Sequence, residues 1–266
     1  MPDVATLLAA YDNHLRPAET ARLDPGIQSE KDGPVVRVFG GHRGFVSAPN
    51  DLRMADAELD SLIARQRDFF TARGEAVEWK ARSHDLPADL PERLAAAGFL
   101  PEEQETVVIG VAEELTDGPT SAEGVHIRRT TADADMHRIA DMQTVVWNTD
   151  LAWLADDLIR RKDSAVVLVA EADGRVVSAA WMVTKYGKEF AGLWGGSTLA
   201  EWRGRGIYRA LVVLRAQLAV ELGIRYLQVD ASDDSRPILE RMGFKAVTTT
   251  TPYVWTPQSA TAVKNS

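Results

Sequence analysis

The chain has 266 residues, 45% hydrophobic and 26% charged, with no cysteine and a formal net charge of −9. Without cysteine, disulfides, thiolate catalysis and cysteine-bound metals are excluded, and no apolar run reaches the roughly 18 residues of a membrane span. The acidity lies in the first 120 residues, net −10 against +1 for the remainder, which argues against general nucleic-acid binding, a process that depends on neutralising phosphates. A small anion site in the neutral half stays possible.

The opening stretch "MPDVATLLAAYDNHLRPAE" carries acids and no basic start, unlike a secretory signal, so a cytoplasmic location is expected. "VVRVFG" and "HRGFVSA" read as strands, residues 54–73 as a helix stopped by Gly74, "AVEWKAR" as a strand, "LPERLAAAGF" as a helix and "ETVVIGVAEEL" as a strand. "ELTDGPTSAEG" (114–124) is rich in turn formers and reads as a linker. "VHIRR" (125–129) is a strand, 131–147 a helix with start chemistry at Thr131 or Asp133, and 150–161 a second helix. "AVVLVAEADGRVVSAAWMVTKY" is a hairpin turned at Asp173-Gly174, and "KEFAGLWGGSTLA" is a further strand. Then comes a long helix with Ile207, Leu211, Leu214 and Leu218 on one face, ended by Gly223. "IRYLQVDA" is a buried strand, "DDSRPILERMG" a short helix, and "FKAVTTTTPYVW" one or two final strands.

The second half therefore runs β-α-α-β-β-β-α-β-α-β-β. Helix–Gly–strand–helix–Gly-Phe occurs twice, around Gly74 and Gly98-Phe99 and again around Gly223 and Gly243-Phe244, with 24 and 20 residues between the glycines. This reads as a degenerate duplication.

"WRGRGIYR" (202–209) gathers glycine and arginine at the mouth of the long helix. A helix start presents unpaired N–H groups and the positive end of the helix dipole, and glycine lets a phosphate approach the backbone. Arg203, Arg205 and Arg209 add cationic donors. The turn lacks the Lys-Ser/Thr of a nucleotide-hydrolysing loop and the third glycine of a dinucleotide fingerprint.

In its setting of strand, R-G-R-G-I, long helix, strand, short helix and Gly-Phe, this turn resembles the GNAT superfamily of acyl-coenzyme A N-acyltransferases, whose signature is Arg/Gln-x-x-Gly-x-Gly/Ala. Arg203 and Gly206 match; Tyr208 stands where a small residue is usual. The resemblance spans residues 125–256 and extends more loosely to the first half, which has no R-G-x-G. It implies a mixed-sheet α/β fold, with a GNAT domain over 124–258 and a degenerate GNAT-like domain over 1–118 that lacks a coenzyme loop. It also implies strands that splay on either side of the long helix, with acetyl-CoA, or another acyl-CoA, lying between them. Thr198, Leu199, Arg203, Gly204, Arg205, Gly206, Ile207, Tyr208 and Ser232 would then contact the coenzyme, with no metal required.

The family's frequent glutamate base falls near Gly192 and its tyrosine acid at Leu239, so both are missing here. Asp230 reads either as a base for the amine or as a turn residue. Ser235 reads either as a donor to the departing sulfur or as a helix cap. Glu189 lies near a hairpin end, and His137 reads as structural or exposed. Trp147, Asn148, Asp150 and Trp153, with Trp194 and Trp181 on later strands, read either as an acceptor pocket, with Asp150 drawing an ammonium, or as core packing. The expected activity is transfer of an acetyl or other acyl group to the primary amine of a small molecule, by a monomer or homodimer without nucleic-acid or membrane partners. An acyl carrier protein as donor and a non-catalytic acyl-CoA-binding sensor are the alternatives.

Overall fold

The computed structural model describes residues 2–257, so the expected domain limits at residues 1 and 258 lie outside it. The chain forms two compact units. The first holds Pro2–Val107, Asp230–Asp233 and the segment from Ala246 onward; the second holds Val108–Val229 and Asp234–Lys245. The expected division at 118–124 does not coincide with these units, because the chain passes from one to the other inside a strand and its last strand returns to the first.

The first unit begins with α1 (Val4–Ala10), a π-helical turn at Tyr11–Leu15 and α2 (Arg16–Ala21). These helices were not expected from the sequence. There follow β1 (Gln28–Asp32), β2 (Val35–Phe39), β3 (Gly44–Ser47), α3 (Asp56–Arg73), β4 (Val77–Arg82), α4 (Leu90–Ala96), β5 (Leu100–Pro101) and β6 (Glu105–Val111), the strand in which the chain changes unit. Strands β1–β4 pair in order; β3 and β4 are parallel, as the crossover through α3 requires. Leu59, Leu62, Ile63 and Phe70 turn one face of α3 onto Val46, Val77 and Trp79 of the sheet. Gly44 has no room for a side chain: a Cβ there would stand 2.1 Å from the Phe70 ring.

The second unit contains β7 (His126–Thr130), α5 (Asp133–Trp147), α6 (Trp153–Arg160), β8 (Ala165–Ala172), β9 (Arg175–Val183), β10 (Phe190–Thr198), α7 (Ile207–Glu221), β11 (Tyr226–Ala231, of which Asp230 and Ala231 group with the first unit) and α8 (Arg236–Met242). β12 (Lys245–Trp255) closes the chain as one strand and pairs antiparallel with β4. The strand order is β11-β10-β9-β8-β7, with only β10 and β11 parallel. The turn between β8 and β9 is the expected one, with Asp173 and Gly174 both at positive φ (50° and 74°). α5 starts at Ala132 without a side-chain cap, so neither Thr131 nor Asp133 caps it; Asp133 and Asp135 supply the acidic first turn instead. α7 is more deeply buried than its expected leucine stripe implies, with Ile207, Ala210, Leu211, Val212, Val213, Arg215, Ala216 and Ala219 all inside.

Candidate functional site

β10 and β11 part company early. Their register runs from Phe190↔Tyr226 to Gly192↔Gln228, and β10 then continues to Thr198. On its other side β10 follows β9 to Trp194↔Trp181, slips, and resumes at Ser197↔Ala179. The slip is a bulge around Gly195 and Gly196. Gly195 is required there: its φ is 63°, and a Cβ would stand 1.9 Å from the Trp181 ring.

After β10 the chain makes a short turn, Ala200–Trp202, and enters α7 through Gly204 (φ 75°) and Gly206 (φ 79°), the latter its N-cap. Nothing lies within 4 Å of a Cβ built on either glycine. Among the described residues, no backbone N–H from Gly204 to Arg209 donates to a backbone carbonyl; the first that does is Ala210, to Gly206. This is a run of open amide donors at the positive end of a helix, an arrangement whose charge suits a phosphate-bearing group.

The arginines fold back around this turn. Arg203 Nε donates to the Thr198 carbonyl at 3.1 Å, Arg205 Nη2 donates to the Glu201 carbonyl at 3.3 Å with its guanidinium 4.4 Å over the Trp202 ring, and Arg209 is exposed. Leu199 is buried, its N–H bonded to Val177 O at 2.9 Å, and Ile207 is buried as the first residue of α7. The Thr198 hydroxyl pairs with Ser178 Oγ at 2.9 Å.

Tyr208 turns inward. Its ring packs on Gly196, and its hydroxyl hydrogen-bonds to Ser235. Burial raises its pKa, while the nearby Arg215 charge lowers it. Ser235 is the N-cap residue of α8 but makes no side-chain cap bond, so its capping reading is set aside. The buried Arg215 was missed in the sequence because arginine usually marks a solvated face. Its position among Leu211, Val212 and Ala216 is the signal that was available.

Trp147, at the end of α5, is 58% exposed; its Nε1 donates to Gln143 Oε1 (2.8 Å) and Ser197 Oγ (3.2 Å), and Gln143 Nε2 donates to Gly195 O (2.8 Å). Trp147 is thereby tied to the bulge through Ser197 and through Gln143, a residue the sequence reading did not single out. The Trp194 indole lies over Gly192 and is partly exposed. Asn148 takes the left-handed position that ends α5 (φ 50°). Asp150 is exposed and accepts from Ala152 N–H at 3.0 Å. Trp153 and Trp181 pack with the core. His137 is exposed, and Glu189 faces Arg225 at 3.8 Å.

Asp230 and Ser232 group with the first unit. The Asp230 carboxylate accepts from Lys80 Nζ at 2.5 Å, with both side chains at 10% exposure or less. Asp230 thus lies inside β11 rather than in the turn after it, with its carboxylate paired to Lys80. Around the pair stand Tyr11, its pKa pushed up to about 12 by burial, and Glu105, pushed up to about 7 chiefly by burial and further by Asp230 and Glu78 against the opposing Lys80 charge. Ser232 is half-buried.

Among the described residues, no cluster of three His, Asp or Glu is placed to hold a metal, and no helix is long and apolar enough to cross a membrane.

Residues 133–244 match the acetyltransferase (GNAT) family profile, and the molecule is a mixed α/β protein with a GNAT-type domain in its C-terminal region. Solved structures resemble it over nearly its whole length. One is a GCN5-related N-acetyltransferase from Kribbella flavida (17% identity, 96% of each chain, TM-score 0.68). Another is a tandem GNAT protein from the clavulanic acid biosynthesis pathway (15%, 95% of this chain and 94% of that one, TM-score 0.59). A third is a GCN5-related N-acetyltransferase from Sphaerobacter thermophilus (15%, 96% and 94%, TM-score 0.60). No similar sequence was found among curated proteins.

Proposed function

We propose that the protein is an N-acyltransferase that moves an acetyl or related acyl group from acyl-coenzyme A to the primary amine of a small molecule. The observation that carries this is the open amide run Gly204–Arg209 beside the strand edge that β11 leaves after Gly192. The turn would hold the diphosphate through backbone N–H groups, and the freed edge of β10 near Thr198 would hold the pantetheine arm. Overall, a carbon–nitrogen bond replaces the carbon–sulfur bond, the electron pair leaves on sulfur, and the amine proton ends on the released thiol.

The chain's own residues have assignable parts. Amides of the bulge at Gly195–Ser197 are suited to polarising the thioester carbonyl. The Ser235 hydroxyl, joined to Tyr208, is the candidate donor to sulfur. Trp147, Asn148, Asp150, Trp153 and Trp194 are the acceptor-side candidates; Trp147 and Trp194 are the more open aromatic faces, and Asp150 is an exposed carboxylate for an ammonium. The first unit is read as a degenerate copy. It repeats the parallel strand–helix–strand unit as β3–α3–β4 with glycines at positive φ at 74 and 98, but has no arginine–glycine turn before α3.

A second reading, a non-catalytic acyl-CoA sensor, draws support from Asp230 being engaged by Lys80 and from Gly192 and Leu239 standing where the resemblance would put a base and an acid respectively. An acyl carrier protein as donor is less favoured, because the first half is acidic. Calorimetry with acetyl-CoA, followed by thiol release across an amine panel, separates these readings. Binding with turnover supports the enzyme, binding without turnover the sensor, and no binding removes both.

A further inference from the structure

Arg215 is 1% exposed and sits in the middle of α7. Its Nε donates to Leu211 O at 3.0 Å, one turn back, and its Nη1 reaches Trp181 O at 3.2 Å and Trp194 O at 3.5 Å. Trp181 and Trp194 are the last register pair before the β9–β10 slip. The guanidinium therefore binds the backbone at the point where the bulge begins.

Its surroundings set it apart from the other buried arginines of the described chain. Arg16 faces Asp85 and Asp12, Arg37 faces Asp32 and Glu30, and Arg82 faces Glu19. Arg215 has carbonyl partners and no carboxylate. Burial pulls its pKa down to about 10, and Tyr208 on its own helix is the titratable group acting against that fall. β9 and β10 present carbonyl oxygens to it, with no ionisable side chain. A buried cation without an anion is costly, and such an arrangement is useful where negative charge develops transiently nearby.

We propose that Arg215 is a positioning residue for acyl transfer: it pins the bulge at Trp194–Ser197 and holds a fixed positive charge behind the bulge amides, on the side away from the reacting carbonyl. This rests on the acyltransferase reading above. The role has two separable parts, geometry and charge. Arg215→Gln keeps a donor for a carbonyl and removes the charge. Lys keeps the charge, but a buried ammonium loses its proton far more readily than a guanidinium.

The test uses the full-length protein and the Arg215→Gln and Arg215→Lys variants. The expected results for Arg215→Gln are a kcat lower by about 100-fold, a KM for acetyl-CoA within about 3-fold of wild type, and unchanged calorimetric affinity for coenzyme A. Arg215→Lys should retain activity within about 10-fold at neutral pH and lose it as pH rises, in a range where wild type is flat. Apart from turnover, the thiolate absorbance of bound coenzyme A should appear about one pH unit lower on wild type than on Arg215→Gln. If Arg215→Gln does not fold, the Arg215→Lys pH profile decides. A wild-type kcat in Arg215→Gln, or an Arg215→Lys profile parallel to wild type, overturns the inference and leaves the acyltransferase reading standing. Absence of coenzyme binding by wild type overturns both.

Discussion

Tyr208 and Gly196 are in such close contact that a β-carbon at 196 would stand 2.6 Å from Cε2 of the tyrosine ring. The side chain that departs from the small residue usual in the arginine–glycine signature is accommodated by a glycine in the facing strand. The ring then reaches Ser235 at the start of α8, linking the first turn of α7 to the start of the last helix.

Gly196→Ala should displace Tyr208 and destabilise the protein by about 1–3 kcal/mol, the usual range for overpacking. In a Tyr208→Ala background the same substitution should cost little, because its partner is gone. A double-mutant cycle by chemical denaturation measures the coupling; additive effects would show that the contact carries no energy.

Gly206→Val should weaken acetyl-CoA binding by about 10-fold or more, an effect of at least roughly 1.4 kcal/mol. The added carbons would fill the open space over the N-cap, and valine is strained at a φ of 79°. Titration calorimetry beside a melting curve checks this. Equal affinity in a folded variant would remove the turn from coenzyme binding.

Asp230→Asn tests whether that carboxylate acts in structure or in chemistry. Removing the charge from a 2.5 Å pair with a buried lysine should lower stability by about 3 kcal/mol. A variant with unchanged melting temperature and abolished turnover would instead return Asp230 to the role of base.

Glu105→Gln should flatten the pH dependence of stability. The folded pKa of Glu105 is raised to about 7 from an ordinary 4.5, so between these values the folded state holds more proton than the unfolded one. Its contribution is complete below about 4.5 and is lost as pH rises through about 7. The glutamine variant should therefore gain stability relative to wild type at pH 8, and denaturation series at pH 5 and pH 8 measure the difference.

Much of the second unit was legible because its signals are local. Asp173-Gly174 demands a tight hairpin, Gly223 ends a helix wherever that helix lies, and Gly204 and Gly206 mark a helix mouth with free backbone. α1 and α2 escaped notice because they are short and their order depends on distant partners. Arg16 in α2, for example, is held by Asp85 and the Ala48 carbonyl. The division of the chain was equally hidden, since β12 pairs with β4 across a separation no local pattern encodes.

The candidate site divides in the same way. The amino-acid order by itself determined the glycine turn, the long helix behind it and the absence of cysteine chemistry, because backbone freedom, helix periodicity and composition act over a few residues or over none. Only the tertiary structure decided that Asp230 is engaged by Lys80, that Tyr208 turns inward to Ser235, and that Arg215 lies buried against two tryptophan carbonyls. Burial and charge pairing depend on which distant groups approach within a few ångströms, and that is set by packing rather than by neighbours in the chain.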